Sequence, residues 1–218
     1  LFAFDPIEHC RERARGQGVT IASSNTDAIS KADIVMLCVK PDVILDLLDE
    51  ITSSSQGKLF ISVAAGITTA NMLSRLPEAT ALVRCMPNTP ALVKTGMTAL
   101  FASPAVTAEQ RASATSVLSS VGESLWVDTE AELDIVTAVS GSGPAYFFLM
   151  MESMINAGVV EGLSREVSTQ LVLQTALGAA VMAKQSESDA GTLRKQVTSP
   201  GGTTQAAIEH FQSVKFEE

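Results

Sequence analysis

Short apolar-rich runs alternate with amphipathic stretches over residues 1–129. The run at 34–39 contains no polar residue, which is typical of a strand buried on both faces of a parallel sheet. Just after it, apolar residues recur at helical spacing, at Val43, Leu47 and Ile51. Strands that alternate with helices favour an open α/β sheet. We therefore predict strands at residues 1–4, 19–22, 34–39, 59–63, 81–85, 96–101 and 124–127.

The pattern changes near residue 130, where strand-like runs stop and long helical runs follow. The run at 145–161 is apolar almost all round, which indicates a buried helix. So short a segment has little core of its own, and we therefore expect the helix to lie in the interface of a homodimer. The chain divides into an α/β domain, 1–129, and an all-helical domain, 130–218, with helices predicted at 130–139, 145–161, 165–184 and 204–211.

Composition and charge exclude several classes of protein. The formal net charge is −9 and no basic cluster occurs, so we expect no nucleic-acid partner. Three cysteines without a CxxC pair and two histidines at opposite ends exclude a disulfide scaffold and predict no metal site. The uncharged stretch 135–151 contains Gly141 to Pro144, which predicts a core helix rather than a membrane span. We expect a soluble cytoplasmic protein without a membrane partner.

Three candidate turns follow three consecutive predicted strands. Lys40-Pro41 follows the strand at 34–39, Ala64-Ala65 follows the next strand, and Asn88 follows the third. Ligands of open α/β sheets bind at the carboxyl ends of the strands, where these turns should lie together. Lys40 could meet a phosphate or a carboxylate, or could simply be solvated, and small residues allow a ligand to approach the backbone. Together the turns predict a binding site.

A second candidate site is a glycine-rich turn at 198–204, which precedes a predicted helix. Gly201 and Gly202 exceed what an ordinary helix start requires, and backbone N–H groups at a helix N-terminus bind anions. The segment 140–146, also rich in glycine, is predicted to join two helices, either as a packing turn or close to a ligand.

A sheet with short turns after its strands, followed by helices, is typical of dinucleotide-dependent reductases. Their G-x-G-x-x-G fingerprint is absent from residues 1–39, so we expect that the chain begins after the first βα unit. Asp5 then stands where an acidic residue bonds the cofactor ribose, and it is also predicted to cap a helix with Pro6 at its first position and Glu8 at its third. No lysine lies between Lys94 and Lys184, so hydride chemistry would proceed without a lysine acid in the helical domain.

Four segments together resemble the pyrroline-5-carboxylate reductase family: SVAAG, RCMPNTPALV, VSGSGPAY and VTSPGGTT. The resemblance covers essentially the whole chain, whereas the family is longer at both ends. It implies a Rossmann-like parallel sheet, with the first βα unit missing, followed by an all-helical dimerisation and substrate domain. It also implies reduction of the C=N bond of Δ1-pyrroline-5-carboxylate to L-proline with NADPH or NADH.

The resemblance also implies site residues. Thr204 would hydrogen-bond the imine nitrogen, and Glu187 would lie near the pocket. The substrate residues would be Ser199, Gly201, Gly202, Thr203 and Thr204, and the cofactor residues Asp5, Asn25, Val39, Lys40, Pro41, Ala64, Ala65 and Asn88.

Two alternatives stay open on the sequence. One is another imine or 2-keto acid reductase of the same architecture. The other is a non-catalytic dimeric binding protein, because the dinucleotide fingerprint is absent from the chain. A larger assembly of dimers and the choice between NADH and NADPH also stay open, although Asp5 favours NADH.

Overall fold

The computed structural model describes residues 1–216, which form two compact units, one over Leu1–Tyr146 and one that begins at Phe147. The strands are β1 (Phe2–Ala3), β2 (Thr20–Ile21), β3 (Ile34–Leu37), β4 (Leu59–Ser62), β5 (Ala81–Met86), β6 (Gly96–Ala102) and β7 (Gly122–Trp126). The helices are α1 (Glu8–Gly16), α2 (Asn25–Ser30), α3 (Ile44–Ile51), α4 (Thr69–Leu73), α5 (Ala108–Leu118), α6 (Glu132–Val136), α7 (Gly143–Val160), α8 (Arg165–Gln185), α9 (Ala190–Gln196) and α10 (Thr203–Ser213).

The first unit contains a five-stranded sheet of order β3-β4-β5-β6-β7 and a separate parallel pair, β1-β2. Every neighbouring pair in the larger sheet is parallel except β5-β6, which is antiparallel. The predicted parallel α/β sheet is therefore confirmed as the dominant pattern and is wrong at this one pair. The reason is the short connection over residues 87–95, since a parallel crossover needs about a dozen residues or more.

The core of the first unit lies on both faces of this sheet. Alternate residues of a strand point to opposite faces, so Phe60 belongs to one apolar cluster and Ile61 to the other. The first face is covered by α3, whose Ile44, Leu48 and Ile51 are fully buried. The second face is covered by α5. Layers on both faces explain why the strand runs are apolar throughout.

The second unit is entirely helical, and no strand lies between residues 145 and 184 of the described chain. The prediction that 135–151 is a core helix is wrong for the single chain, because large apolar residues there are exposed, with Phe147 at 68%. The helical stretch Glu132–Val160 is long and apolar enough to cross a membrane by length and composition alone. The apolar surface of α7 and α8 thus lacks cover from this chain.

Two helix starts differ from the predictions. Helix α1 begins at Glu8 with Ile7 as N-cap, because the Asp5 carboxylate accepts the Ile7 N–H at 2.8 Å in a turn before the helix. Asp5 is therefore not the N-cap. The predicted turn at 140–146 is also wrong, since a π-helical turn at Thr137–Gly141 leads almost directly into α7.

Candidate cofactor and substrate sites

The three turns predicted to form a binding site follow neighbouring parallel strands. Lys40 and Pro41 come after β3, Ala64 and Ala65 after β4, and Asn88 after β5. Strands β3, β4 and β5 are hydrogen-bonded in that order and run in the same direction, so their carboxyl ends share one edge. The structure therefore brings these turns to the edge where open α/β sheets bind ligands.

The turn after β4 offers exposed backbone. Ala64 is buried and its N–H donates to Ser62 Oγ at 3.3 Å, whereas Ala65 and Gly66 are exposed. Gly66 has a φ of +74°, and no atom lies within 4 Å of the position that a Cβ would take. A flat group can approach such a backbone without meeting a side chain.

Lys40 and Val39 differ in their surroundings. Lys40 and Pro41 are exposed at the end of β3, where a lysine ammonium can meet a phosphate. Val39 is partly buried and packs against the apolar cluster on the α3 face. Val39 therefore contributes shape to this edge, and Lys40 contributes charge.

Asn88 uses both ends of its side-chain amide within the protein. Its Oδ1 accepts the Met97 N–H at 2.9 Å, and its Nδ2 donates to the Ser140 carbonyl at 3.1 Å. Asn88 thus connects the loop after β5 to β6 and to the π-helical turn. Gly141 of this turn lies against Met86, because a Cβ there would be 2.8 Å from Met86 Cε. The segments 84–93 and 139–146 therefore meet, and π turns occur often at functional sites.

Two further predicted cofactor residues lie beside the smaller sheet. Asp5 follows β1, and its carboxylate is held by the Ile7 N–H. Asn25 begins α2 just after β2, and its amide donates to the Glu50 carboxylate at 3.2 Å. Both residues follow the carboxyl ends of their strands.

A buried charged cluster in the first unit was not predicted from the sequence. Arg84, in the middle of β5, is only 6% exposed, and its Nη1 donates to Glu130 Oε1 at 2.9 Å. The same carboxylate accepts the Thr69 N–H at 2.7 Å and the Thr69 hydroxyl at 2.8 Å. An arginine inside an otherwise apolar strand was the available signal, since a buried cation needs a partner. The partner lies far away in sequence and could not be identified from it.

The candidate substrate turn of the second unit leads into α10. Gly202 is the N-cap and makes no side-chain cap, and Thr203 and Thr204 are the first helical residues. The Gly201 N–H donates to Gln205 Oε1 at 2.7 Å, and the Gly202 N–H donates to the Ser199 carbonyl at 3.1 Å. The N–H groups that a helix start leaves without an intrahelical partner are therefore those of residues 203–205.

The remaining predicted residues are exposed. Thr204 and Ser199 are exposed in this turn, and Glu187 is exposed between α8 and α9. Gly201 has a φ of +71°, a conformation that favours glycine. The substrate turn thus presents a threonine hydroxyl and a set of backbone donors, which is an arrangement suited to a carboxylate.

The residues at the strand ends fit a dinucleotide. The edge at β3, β4 and β5 has an exposed lysine, which suits a phosphate, and an exposed small-residue turn, which suits a flat ring. An acidic residue, which suits ribose hydroxyls, follows β1 of the separate strand pair. A parallel-dominated sheet with this edge, followed by a helical unit, defines a dinucleotide-dependent oxidoreductase.

Comparison with known proteins agrees with this class. Residues 130–218 match the family model for pyrroline-5-carboxylate reductase dimerisation, and residues 5–66 match that for NADP oxidoreductase, coenzyme F420-dependent. The chain is 47% identical over 217 residues to the pyrroline-5-carboxylate reductase of Pseudomonas aeruginosa, with 99% of this chain and 80% of that protein covered.

Solved structures extend the comparison. A pyrroline-5-carboxylate reductase from Coxiella burnetii superposes with a TM-score of 0.91 at 37% identity, covering 99% of this chain and 81% of that one. The Plasmodium falciparum pyrroline carboxylate reductase, solved with NADP bound, gives 0.89 at 33% identity, covering 100% and 80%. The chain belongs to the pyrroline-5-carboxylate reductase family.

Proposed function

We propose that the chain reduces the C=N bond of Δ1-pyrroline-5-carboxylate to L-proline with NAD(P)H. The observation that carries this function is the identity of 47% along nearly the whole chain to a pyrroline-5-carboxylate reductase. The same identity disfavours a different imine or keto acid reductase. The exposed dinucleotide edge disfavours a purely structural binding protein.

The chemistry suits the side chains that are present. When bound, NAD(P)H supplies the hydride for the imine carbon. A cyclic imine is partly protonated near neutral pH and already electrophilic, so the protein needs no strong acid of its own. Its contribution is to bind and orient both reactants, which can account for much of a rate enhancement.

We assign the cofactor side to the first unit. Lys40 would pair with a phosphate, the Ala64–Ala65 turn would receive a flat ring, and Asp5 would accept ribose hydroxyls. Val39, Pro41 and Asn25 would shape the same edge. Because both ends of its amide are bonded within the protein, Asn88 would act by holding the loop after β5. We place the division between cofactor and substrate domains at 129/130, supported by the dimerisation match that starts at residue 130.

We assign the substrate side to the turn before α10. The N–H groups of Thr203 and Thr204 would bind the substrate carboxylate at the helix N-terminus. The Thr204 hydroxyl would hydrogen-bond the imine nitrogen. Ser199, Gly201 and Gly202 would give the turn its shape, and we keep Glu187 as a second polar group near the substrate.

The activity is tested directly with the complete enzyme. We expect oxidation of NADH or NADPH that depends on pyrroline-5-carboxylate, followed by the nicotinamide absorbance, with L-proline as product. Since Asp5 favours a free ribose diol, NADH should serve at least as well as NADPH. Unrelated cyclic imines and 2-keto acids are the controls. Faster turnover of one of these than of pyrroline-5-carboxylate would contradict the assignment.

The exposed apolar helices predict a stable homodimer. Tyr146, Phe148 and Leu149 of α7 and Leu177 of α8 are all exposed in the single chain. An obligate interface that covers them should exceed about 2,000 Å² in total and be mainly apolar. Sedimentation or light scattering should show a dimer, or a larger assembly of such dimers, and Leu177→Glu should weaken it.

The matched control for the dimer is Glu109→Lys, a charge change at an exposed residue of α5 in the first unit. A wild-type protein that stays monomeric at micromolar concentration would contradict this prediction.

We place the enzyme in the cytoplasm without nucleic-acid or membrane partners, which the net charge of −9 and the absence of basic clusters support.

A further inference from the structure

The Glu130 carboxylate holds two segments of the first unit that are distant in sequence. Its Oε1 accepts from Arg84 Nη1 at 2.9 Å and from the Thr69 N–H at 2.7 Å, and its Oε2 accepts from the Thr69 hydroxyl at 2.8 Å. The Arg84 side chain is 8% exposed and that of Glu130 23% exposed. Hydrogen bonds to charged groups are stronger than neutral ones, most of all when shielded from water.

The contact lies at the start of α4, directly after the exposed turn that follows β4. Thr69 is the first residue of this five-residue helix, and Gly66, Ile67 and Thr68 separate it from Ala65. The first N–H groups of a helix have no intrahelical partner. Thr68 caps the Asn71 N–H at 3.2 Å, and Glu130 takes the Thr69 N–H. So short a helix depends on such contacts for its position.

The hydrogen bonds from Thr69 and Arg84 favour the charged form of this carboxylate. Burial by itself raises the pKa of Glu130, but hydrogen bonds from Thr69 and Arg84 outweigh it and hold the pKa below its usual value. Asp134 lies 3.9 Å from Arg84 Nη2 but is exposed, so Glu130 is the principal partner. Arg84 is also four residues before Asn88 on the same strand and loop. The Glu130 carboxylate thus connects β5, through Arg84, to the start of α4, through Thr69.

We propose that Glu130 is a positioning residue that fixes the Ala64–Gly66 turn against β5 and thereby sets the affinity for the nicotinamide nucleotide. The proposal rests on the proposed function, because it takes this turn to be part of the cofactor site. Glu130 itself touches neither reactant in this account. Glu130 acts by accepting the hydrogen bond of the Thr69 N–H. An apolar side chain in place of Glu130 would offer this N–H no acceptor.

The first variant, Thr69→Pro, removes both Thr69 donors to Glu130, the N–H and the hydroxyl, and keeps both members of the Arg84–Glu130 ion pair. Proline is tolerated at the first position of a helix, and Thr68 has φ −75° and ψ 155°, which suits the residue before a proline. In the complete enzyme we expect the Kd and KM for NADH or NADPH to rise by about 10-fold, with the KM for pyrroline-5-carboxylate changed by less than about 3-fold.

Its matched control is Ala108→Pro, at the first position of α5. The preceding Thr107 has φ −75° and ψ 166°, so the backbone requirement is the same. This helix start is not at the predicted cofactor edge, and nucleotide affinity should be unchanged. An equal loss of affinity in both variants would overturn the proposal, since it would show a general effect of proline.

The second test separates positioning from stability. Glu130→Leu leaves Arg84 buried without its principal anion and the Thr69 N–H without its acceptor, so it should lower both the melting temperature and the nucleotide affinity. Arg84→Met combined with Glu130→Leu removes both charges, so the melting temperature should recover. The nucleotide Kd should stay raised by about 10-fold because Thr69 still lacks an acceptor. Recovery of affinity together with the melting temperature would overturn the proposal.

Calorimetric titration with NADH or NADPH measures the nucleotide Kd independently of turnover. It therefore distinguishes a failure of the proposed reductase function from a failure of the positioning role of Glu130. Wild-type protein that binds nucleotide but fails to reduce pyrroline-5-carboxylate would contradict the proposed function and leave this test intact. Wild-type protein that is active, with an unchanged nucleotide Kd in Thr69→Pro, would overturn the role of Glu130 alone.

Discussion

Thr204→Ala should lower kcat/KM for pyrroline-5-carboxylate by on the order of 10- to 1,000-fold, with a visible loss in kcat. The proposed contact of this turn with the substrate carboxylate would be the same in the ground and transition states. The proposed contact of the Thr204 hydroxyl changes as the imine nitrogen becomes an amine, so its loss affects the chemical step. Steady-state rates of the complete enzyme with saturating NADH or NADPH provide the measurement.

The structure also supplies the controls for this variant. If Thr204 only capped α10, its loss would cost about 1 kcal/mol of stability and leave the rates unchanged. Gly202 is the N-cap, however, and Thr204 is an exposed residue inside the first turn, so the melting temperature should stay near that of the wild type. Thr204→Ser retains the hydroxyl and should keep most of the activity. Wild-type kcat/KM in Thr204→Ala would contradict the assignment.

Gly122→Ala should destabilise the first unit by about 4 kcal/mol or more, which is an exceptional loss for one methyl group. Gly122 begins β7 and pairs in register with Gly96 of β6. A Cβ at Gly122 would lie 2.0 Å from the Gly96 carbonyl oxygen and 2.4 Å from its nitrogen, and Gly122 has a φ of +150°. Backbone atoms cannot move aside as a flexible side chain can.

Denaturant unfolding of the wild type and the variant provides the measurement, and the yield of folded protein provides a second. Gly16→Ala is the matched control, because it lies at the end of α1 with no atom within 4 Å of its Cβ position. Alanine there should be neutral or slightly stabilising. A loss below about 1 kcal/mol in Gly122→Ala would show that the β6-β7 pair adjusts more easily than its geometry indicates.

The long elements were predictable because each has a strong local pattern. The apolar runs became β3, β4 and β5, and the helices at 165–184 and 204–211 lie within one or two residues of α8 and α10. The shorter helices α2, α4 and α9 were missed. They have only five to seven residues, and their local signals are single capping residues, Ser24, Thr68 and Asp189. An N-capping residue that is not followed by a periodic run of apolar residues is not enough to predict a helix.

The candidate site was predictable in part for the same reason. Turns after consecutive apolar runs lie at one sheet edge whenever the strands are parallel neighbours, and that placement of Lys40, Ala64 and Asn88 is confirmed. Their roles toward a cofactor stay predictions. The partners of their side chains could not be foreseen, since Asn88 bonds to Met97 and Ser140 through contacts made only in the folded chain.

The sequence by itself determined the order of strands and helices, the change of pattern near residue 130 and the family motifs, because periodicity and turn residues act locally along the chain. Only the tertiary structure decided which segments meet. It made β5-β6 antiparallel, placed a π-helical turn at 137–141 almost directly before α7, and joined Glu130 to Thr69 and Arg84. The Glu130 contacts join residues far apart in sequence, for which a single sequence contains no local signal, whereas the short connection over residues 87–95 was the available signal for the antiparallel pair.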